Sequence, residues 1–477
     1  MRFLNRASEL SMLRRRLSGD SAEFLVVYGR RRVGKTELLT HLAAEARSFY
    51  FEATDTVAAQ QLRDITEELA RVWGNELLRT QSLTSWDAAL TAIAQYVGNE
   101  RTLVVLDEFQ LLAARSPDLE TTISRWWRTT GRNLPIVLVL AGSELSFFED
   151  KVLAGSLYGR RTGQLKLEPF TAQDAALFQP GYSHDDKVRV FSVCGGIPYY
   201  LDRFPDTRSL ADSLLTEVFE RTGLLHDEAE LMLRQSIPDP SNHIAILRSI
   251  AHGHNRNSQI ANRTGLTTTQ VGKILTSLER LGLVLTLRPV TASPRSKKTA
   301  YEIADQFLRF HYRFVEPARS QLRTSSLASA YLDASVLPEL DHHASKAWEN
   351  ICQEHVLREM PGVTAVGRWW GQVPKGNGPR TEEREVDVVG IDGTGNTLAI
   401  GMRKWTEHPV DFDELNLLDR LAPSIGGVTR DTHRYLFSRS GFTQRITAHA
   451  ETDPFLTLVT PADIYRSAAS WAAAGST

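Results

Sequence analysis

Short apolar runs alternate with amphipathic stretches over the first 170 residues of the chain. The runs at 24–28, 103–106 and 136–140 are rich in β-branched residues and lack polar alternation. Such runs are typical of strands buried on both faces of a parallel sheet. Between them, 58–73 and 85–97 carry apolar residues at helical spacing. Strands that alternate with helices in this way predict an α/β domain.

The hydrophobic pattern changes after this region. Residues 171–238 hold no comparable strand run and predict short helices. Within 239–316, apolar residues at helical spacing precede two short strand-like runs, and 317–344 predicts a helical connector. From residue 345 onward, a helix and strands are separated by turn clusters such as GNG and DGTGN. We therefore predict five segments: 1–170, 171–238, 239–316, 317–344 and 345–477.

Composition excludes a collagen, a long coiled coil and a mainly disordered chain. The chain has 477 residues, of which 42% are hydrophobic and 23% are charged, an ordinary globular composition. No apolar run approaches the roughly 18 residues that a membrane span needs, and the charged N-terminus lacks a signal core. The two cysteines, Cys194 and Cys352, form no CxxC motif, so we expect reduced thiols. These features predict a cytoplasmic protein without a membrane partner.

Charge is distributed unevenly along the chain. The formal net charge is −2, but 241–316 contains eleven Lys or Arg and four Asp or Glu. A basic segment within an otherwise acidic protein indicates that this segment binds a polyanion.

A phosphate-binding loop follows the first predicted strand. The sequence Gly29-Arg30-Arg31-Arg32-Val33-Gly34-Lys35-Thr36 fits GxxxxGK[ST] between a strand and a helix. Glycines allow the loop to wrap tightly, so that backbone N–H groups face phosphate. Lys35 is expected to reach the β- and γ-phosphates, and Thr36 is expected to ligate Mg²⁺. The motif predicts ATP and Mg²⁺ as cofactors.

An acidic pair ends the second buried strand. Asp107 and Glu108 follow the run LVVL, where a carboxylate is costly to desolvate and has no packing purpose. We expect Asp107 to hold the Mg²⁺ shell and Glu108 to polarise the attacking water.

Polar residues also follow the third strand. Ser143 comes three residues after the run at 136–140 and either senses the γ-phosphate or caps a helix. Arg160 and Arg161 are either surface arginines or residues that neutralise transition-state charge, in cis or from a neighbouring subunit of a homo-oligomer.

Several motifs in order resemble one known family. FLNR with EL at the N-terminus, GRRRVGKT, VVLDEFQ, LAGSELSFFE, LYGRRTGQLKLEPF and CGGIPYYL look like those of archaeal and bacterial P-loop ATPases of the AAA+/STAND grouping, similar to origin-recognition ATPases. The resemblance covers residues 1–238. It implies that Phe3, Asn5 and Arg6 lie near the adenine, and that Pro198 belongs to a lid element that touches the base.

The basic segment resembles a winged helix. A helix, a short second helix, a Gly turn and a third helix are the helix-turn-helix pattern. The outward face of the third helix carries Thr268, Gln270 and Lys273, which suit base edges or phosphates. The predicted wing carries three further cations, Arg295, Lys297 and Lys298. Double-stranded DNA is the expected partner, and the alternatives are a protein-binding winged helix and a domain that merely packs on the ATPase.

The last segment resembles the restriction-endonuclease-like domain that is appended to ATPases of this family. The nuclease pattern requires an Asp on one strand and Glu-x-Lys on the next. Asp387 and Lys404 fit, but Met402 stands where the second acid belongs. Glu349 and Glu385 are the possible substitutes. The resemblance therefore implies a degenerate nuclease site.

The sequence thus predicts an α/β P-loop ATPase core with a helical lid, a winged helix and an α/β nuclease-like tail. The expected function is an ATP-hydrolysing switch that binds DNA. Two alternatives stay open: a DNA-binding regulator with nucleotide as a structural ligand, and an ATP-gated nuclease of a defence or toxin-like system.

Overall fold

The computed structural model describes residues 3–293, 299–374 and 381–466. The chain divides into two compact units, Met1–Pro169 and Phe170–Thr477. The strands of the first unit are β1 (Glu23–Tyr28), β2 (Ser48–Glu52), β3 (Thr102–Asp107), β4 (Ile136–Gly142) and β5 (Gly163–Lys166). Its helices are α1 (Ala7–Ser18), α2 (Lys35–Ala43), α3 (Ala58–Trp73), α4 (Glu76–Thr80), α5 (Trp86–Val97), α6 (Phe109–Arg115), α7 (Leu119–Thr129) and α8 (Leu145–Phe147).

The strands of the first unit form one parallel sheet in the order β2-β3-β4-β1-β5. The predicted parallel α/β fold is confirmed, and the three apolar runs are β1, β3 and β4. Every residue of β3 and β4 is buried, which explains why these runs lack polar alternation. The strand β2 was not predicted, because its five residues alternate between buried and partly exposed positions.

A parallel sheet places the carboxyl ends of its strands at one edge. The segments that follow β1, β3 and β4 therefore emerge side by side, and they carry the P-loop, the acidic pair and Ser143. The core beneath is built from strand residues such as Leu106 and Leu140 and from helix residues such as Phe109 and Ile123. This burial fixes the strand ends and with them the edge.

The second unit begins with short helices, as predicted, and continues into a winged helix. The helices that precede it are α9 (Ala172–Ala175), α10 (His184–Cys194), α11 (Pro198–Leu201), α12 (Leu210–Leu214) and α13 (Glu228–Ser236). The winged helix consists of α14 (Ser241–Ala251), α15 (Asn257–Thr264), α16 (Thr268–Arg280) and the antiparallel strands β6 (Val284–Leu287) and β7 (Ala300–Ile303). Gly265 ends α15 in the left-handed region, with φ +74°.

The remaining elements of the second unit form an α/β layer. They are α17 (Gln306–Phe310), α18 (Ser325–Tyr331), α19 (Leu337–Glu359), β8 (Ala365–Pro374), β9 (Thr381–Ile391), β10 (Thr397–Lys404), α20 (Phe412–Leu421), β11 (His433–Ser438), α21 (Gln444–Ala450) and β12 (Leu456–Val459). The sheet order is β12-β11-β10-β9-β8. Pairs β8–β9 and β9–β10 are antiparallel, whereas β10–β11 and β11–β12 are parallel.

Different helices cover the two faces of this sheet. On one face, Trp348 of α19 packs with Val388 and Phe437. On the other face, Leu415 and Leu418 of α20 pack with Ile400.

The helix α19 runs through the segment boundary that we predicted at residue 344, because Ala344, Ala347 and Trp348 continue one buried stripe. The five-segment division stays a prediction. None of the helices in the described part of the chain combines the length and the apolar character that crossing a bilayer requires.

Candidate functional site

The P-loop adopts a conformation that depends on its glycines. Gly34 has φ +90° and precedes α2, so a residue with a side chain would be strained there. At Gly29, a Cβ atom would lie 2.4 Å from the backbone oxygen of Leu167. Arg32 also takes a positive φ of 68°, which costs a non-glycine residue about 1 kcal/mol or more. Such strain is typical of functional sites.

The Lys35 ammonium lies inside this loop. Lys35 is only 4% exposed, and its Nζ donates to the carbonyl oxygens of Gly29 (3.0 Å) and Arg30 (2.9 Å). Burial lowers the pKa of Lys35 to about 8, although the nearby Glu108 and Asp107 carboxylates act in the opposite direction. The charged form therefore has a deficit of solvation that phosphate oxygens would relieve.

The side chains of Thr36, Tyr50 and Asp107 come from three elements and meet at one point. Asp107 is fully buried at the end of β3. Thr36 Oγ1 donates to Asp107 Oδ2 over 2.9 Å, and the Tyr50 hydroxyl donates to the same oxygen over 2.6 Å. Burial, together with the adjacent Asp107 carboxylate, raises the pKa of Tyr50. The hydroxyl and carboxylate oxygens of Thr36 and Asp107 are the donors that Mg²⁺ prefers, so this pair fits the predicted metal. Tyr50 was not predicted, because only the tertiary pairing of β2 with β3 brings it here.

Glu108 lies beside Asp107 with its carboxylate held in place. Ser143 Oγ donates to Glu108 Oε2 over 2.9 Å, and Gln110 Nε2 donates to the same oxygen. Glu108 itself has φ +51° and precedes α6. The structure thus brings Ser143 to the acidic pair, as the predicted γ-phosphate sensor requires. Gln110 was missed, because a glutamine in a helix has no sequence signature of its own.

The N-terminal segment packs against the P-loop. Arg6 is 7% exposed, and its guanidinium donates to the carbonyl oxygens of Val33 (3.1 Å) and Glu168 (2.8 Å). Asn5 and Arg6 both have positive φ. Phe3 stacks on His41 of α2, with ring centroids 4.4 Å apart. Arg6 thus contacts the loop directly, and the role of all three residues at the adenine stays a prediction.

The winged helix presents the predicted polar residues on α16. Thr268, Gln270 and Lys273 are exposed. Gln270 Oε1 accepts from the Thr267 backbone N–H (3.0 Å) and hydroxyl (2.9 Å) in a capping box. The Gln270 amide thus has a structural role in the helix start, which the sequence reading did not include. The predicted wing residues Arg295, Lys297 and Lys298 lie outside the described residues.

The predicted residues of the nuclease-like tail make contacts that the sequence did not predict. Met402 is 8% exposed and packs in the apolar cluster on the α20 side, and Lys404 Nζ pairs with Glu414 of α20 over 2.9 Å. Asp387 instead bonds to Arg403, whose backbone N–H donates to Asp387 Oδ2 over 3.1 Å. Asp387, Met402 and Lys404 nevertheless line one cavity, together with Glu385 and Arg403. Met402 and Lys404 share a face of β10 because they are two residues apart, and the role of the group as a degenerate nuclease site stays a prediction.

Carboxylates on the α19 side form their own group. Oxygen atoms of Glu349, Glu385 and Asp387 lie within 4.8 Å of one another, so both possible substitutes are present. Arg403 Nη2 donates to Glu349 Oε2 over 2.9 Å. Burial raises the pKa of Asp387 to about 6, although the Arg403 guanidinium lowers it.

Two more cations contact the same group. Lys346 Nζ lies 2.8 Å and Arg368 Nε 3.0 Å from Glu349 Oε1. The buried Glu349 is thus neutralised from several sides by side chains of the protein, and this ionic arrangement does not fit a divalent metal. Neither Arg368 nor Arg403 was predicted to contribute here.

Family models match three parts of the chain. Residues 3–204 match a family model described as an ATPase domain predominantly from Archaea. Residues 241–287 match an IclR helix-turn-helix domain. This chain carries a P-loop ATPase domain followed by a helix-turn-helix. Residues 311–415 match a family of archaeal and bacterial proteins of unknown function. The likeness of the tail to restriction endonucleases stays a prediction.

Individual relatives are distant. The chain is 25% identical over 409 residues to an uncharacterized protein of Methanocaldococcus jannaschii, with 85% of this chain and 88% of that protein covered. It is similar to a Walker-type ATPase of Pyrococcus abyssi, with TM-score 0.49, 19% identity, and 65% and 96% of the two chains covered. It is also similar to the ORC2 protein of Aeropyrum pernix, with TM-score 0.41 and 18% identity, and with 69% of this chain and 94% of that chain covered. The assignment rests on the family models and the P-loop geometry, not on these structural similarities.

Two predicted residues of the ATPase, Arg160 and Arg161, are not brought to the P-loop. Arg160 and Arg161 precede β5, which runs parallel to β1. Thr162 N–H donates to Phe24 O near the start of β1, so both arginines lie at the amino end of the strands, opposite the P-loop. Arg160 Nε donates to Ser124 Oγ (3.3 Å), and Arg161 Nη1 donates to Leu153 O (2.9 Å). Pro198 begins α11 in the second unit. Their roles as arginine finger and base contact stay predictions.

The ATPase domain should bind ATP more weakly as the pH rises above about 8. The pKa of Lys35 is lowered to about 8, and contact with phosphate would raise it again. Binding then takes up a proton above that pH, so affinity falls by up to about tenfold per pH unit. Titration with a fluorescent ATP analogue across this range measures the effect. Lys35→Arg keeps its charge and should lose the dependence, and a flat profile for the native protein would contradict the mechanism.

Proposed function

We propose that the protein is an ATP-hydrolysing switch that binds double-stranded DNA. The observation that carries the proposal is the convergence of five side chains at the sheet edge where β1, β3 and β4 end: Lys35, Thr36, Asp107, Glu108 and Ser143. The chain that holds this edge also holds a helix-turn-helix. A nucleotide site and a DNA-binding module on one chain suit a switch.

Each residue has one role in hydrolysis. Lys35 binds the β- and γ-phosphates, and Thr36 and Asp107 hold Mg²⁺, which supplies neutralisation of phosphate charge. Glu108 orients the attacking water and accepts its proton. Ser143 contacts both Glu108 and the γ-phosphate, and so links the state of the nucleotide to the carboxylate.

The DNA interface is assigned to the winged helix. The segment 241–316 has seven more basic than acidic residues, and Lys273 and Thr268 are exposed at α16. A recognition helix in the major groove uses such residues for base edges and phosphates.

The proposal is tested by measuring DNA affinity in each nucleotide state. We expect the affinity for a labelled duplex to differ at least fivefold between protein with ATP and protein with ADP, a typical allosteric coupling. Glu108→Gln should hold the ATP state without turnover. Equal affinities in all states would favour the alternative in which nucleotide is only a structural ligand.

Salt dependence locates the DNA contacts. Neutralising Arg295, Lys297 and Lys298 should make the slope of log K against log salt shallower by about 2 to 3, and Lys273→Gln by about 1, on the rule of about 0.9 per phosphate. Fluorescence anisotropy at several salt concentrations measures the slope. Arg71→Gln, at an exposed arginine of α3, is the control and should leave it unchanged. Unchanged slopes in all variants would place DNA binding elsewhere.

A further inference from the structure

Gln110 occupies a buried position at the ATPase site that none of the roles above uses. The side chain is 5% exposed and lies in the first turn of α6, two residues after Glu108. Its Nε2 donates to Glu108 Oε2 and lies 3.4 Å from Ser143 Oγ. A buried amide that bonds to a carboxylate makes a charge-assisted hydrogen bond, which is stronger than a neutral one.

The end of β4 is shaped to receive this amide. A Cβ atom on Gly142 would lie 2.0 Å from Gln110 Oε1 and 2.6 Å from the Phe148 ring. Only glycine therefore fits at this position while Gln110 keeps its place. The residue that follows, Ser143, supplies the second donor to Glu108, so the strand end both admits Gln110 and completes the contact.

The backbone conformation of Glu108 explains why its carboxylate needs a second hydrogen bond to hold it in place. Glu108 lies between β3 and α6 with φ +51°, outside the regular geometry of either element. Ser143 and Gln110 approach the same oxygen, Oε2, from β4 and α6. With Oε2 held in this way, Oε1 is left as the oxygen that receives the proton of the attacking water.

We infer that Gln110 is a positioning residue, which together with Ser143 holds the Glu108 carboxylate in the orientation needed for hydrolysis. The inference rests on the proposed function, since it assumes that Glu108 is the base. Its role is to act through Glu108, and it has no part in binding nucleotide. Removal of the amide donor should therefore lower kcat and leave the affinity for ATP unchanged.

The test is a double-mutant cycle between Gln110→Leu and Glu108→Gln. We expect Gln110→Leu to lower kcat about 10- to 100-fold, the range for loss of a hydrogen bond to a charged group, with KM and ATP affinity changed less than about twofold. In the Glu108→Gln background the same substitution should change the residual rate less than about twofold. Gln110→Glu, which keeps size and shape but replaces the donor with a carboxylate, should lower kcat at least as much.

A second buried glutamine provides the matched control. Gln61 is fully buried in α3 and donates only to the carbonyl oxygens of Thr54 and Leu111, the latter in α6. Gln61→Leu should disturb α6 without removing a hydrogen bond to Glu108. Its effect on kcat should therefore be equal in the native and the Glu108→Gln backgrounds.

Four results overturn the inference. A fall in kcat for Gln110→Leu that is equal in both backgrounds would make the residue merely structural, and so would an effect no larger than that of Gln61→Leu. Unchanged turnover in both Gln110 variants, while Glu108→Gln is slow, overturns this inference alone. Equal hydrolysis by the native protein and Glu108→Gln overturns the proposed base, and with it both proposals.

Discussion

Lys35→Ala is expected to abolish tight ATP binding, whereas Glu108→Gln should retain binding and lose hydrolysis. Lys35 places a buried ammonium within the loop, and truncation of one partner of a desolvated charge pair costs about 2 to 5 kcal/mol. ATP affinity should therefore fall by a factor of about 30 to several thousand. Glu108 contributes through the water, and loss of a general base typically costs about 10² to 10⁴ in rate.

Equilibrium binding and phosphate release separate these two effects. Lys166→Ala is the control for Lys35, because Lys166 lies on β5 and its ammonium pairs with Glu149 and Glu168 at a half-exposed position. Its ATP affinity should stay within about twofold of the native value, since exposed pairs contribute little. Equal loss of binding in Lys35→Ala and Glu108→Gln would mean that Glu108 is structural and not catalytic.

The sequence predicts those parts of the site that depend on local motifs. The P-loop and the acidic pair follow buried strands directly. Because parallel strands end at the same edge of a sheet, the sequence predicts that the two motifs lie side by side. Tyr50 and Gln110 were not predicted, because their contacts depend on tertiary structure: Tyr50 reaches Asp107 only through the pairing of β2 with β3. Gln110 reaches Glu108 only because Gly142 leaves the required space.

In the tail, the motif predicted residues that line one cavity but did not predict the cation among them. Asp387, Met402 and Lys404 line one cavity, but Arg403, which lies between the last two, lines it as well and bonds to Glu349. A family pattern that is matched by spacing alone does not identify the contacts of the residue between its motif positions. The neighbouring residue, which the pattern leaves unspecified, makes the ionic contacts here.

Arg403→Met is expected to destabilise the protein by about 3 kcal/mol, the lower end of the cost of breaking a buried ion pair. Arg403 Nη2 bonds to Glu349 Oε2, and Glu349 is 2% exposed. Lys346 and Arg368 still contact Glu349, which keeps the cost from being larger. Asp387 also loses its attracting cation, so its pKa, already raised to about 6, should rise further. Chemical denaturation at neutral pH measures the loss.

Arg384→Met is the matched control, since Arg384 lies on the neighbouring strand β9 and pairs with Glu382 at a position 42% exposed. Such a surface pair contributes about 1 kcal/mol or less.

The same arrangement predicts that the native protein does not cut DNA with Mg²⁺ or Mn²⁺, with or without ATP. Arg403 already neutralises the carboxylates that a metal would need. A divalent metal ion there would be repelled by the positive charges of the Arg403 and Arg368 guanidinium groups. Plasmid and linear duplex incubated with the full chain are the substrates. Cleavage that is stopped by Asp387→Ala would contradict the prediction. So would a stability loss for Arg403→Met no greater than that of Arg384→Met, because the ionic group would then be too weakly held to exclude a metal.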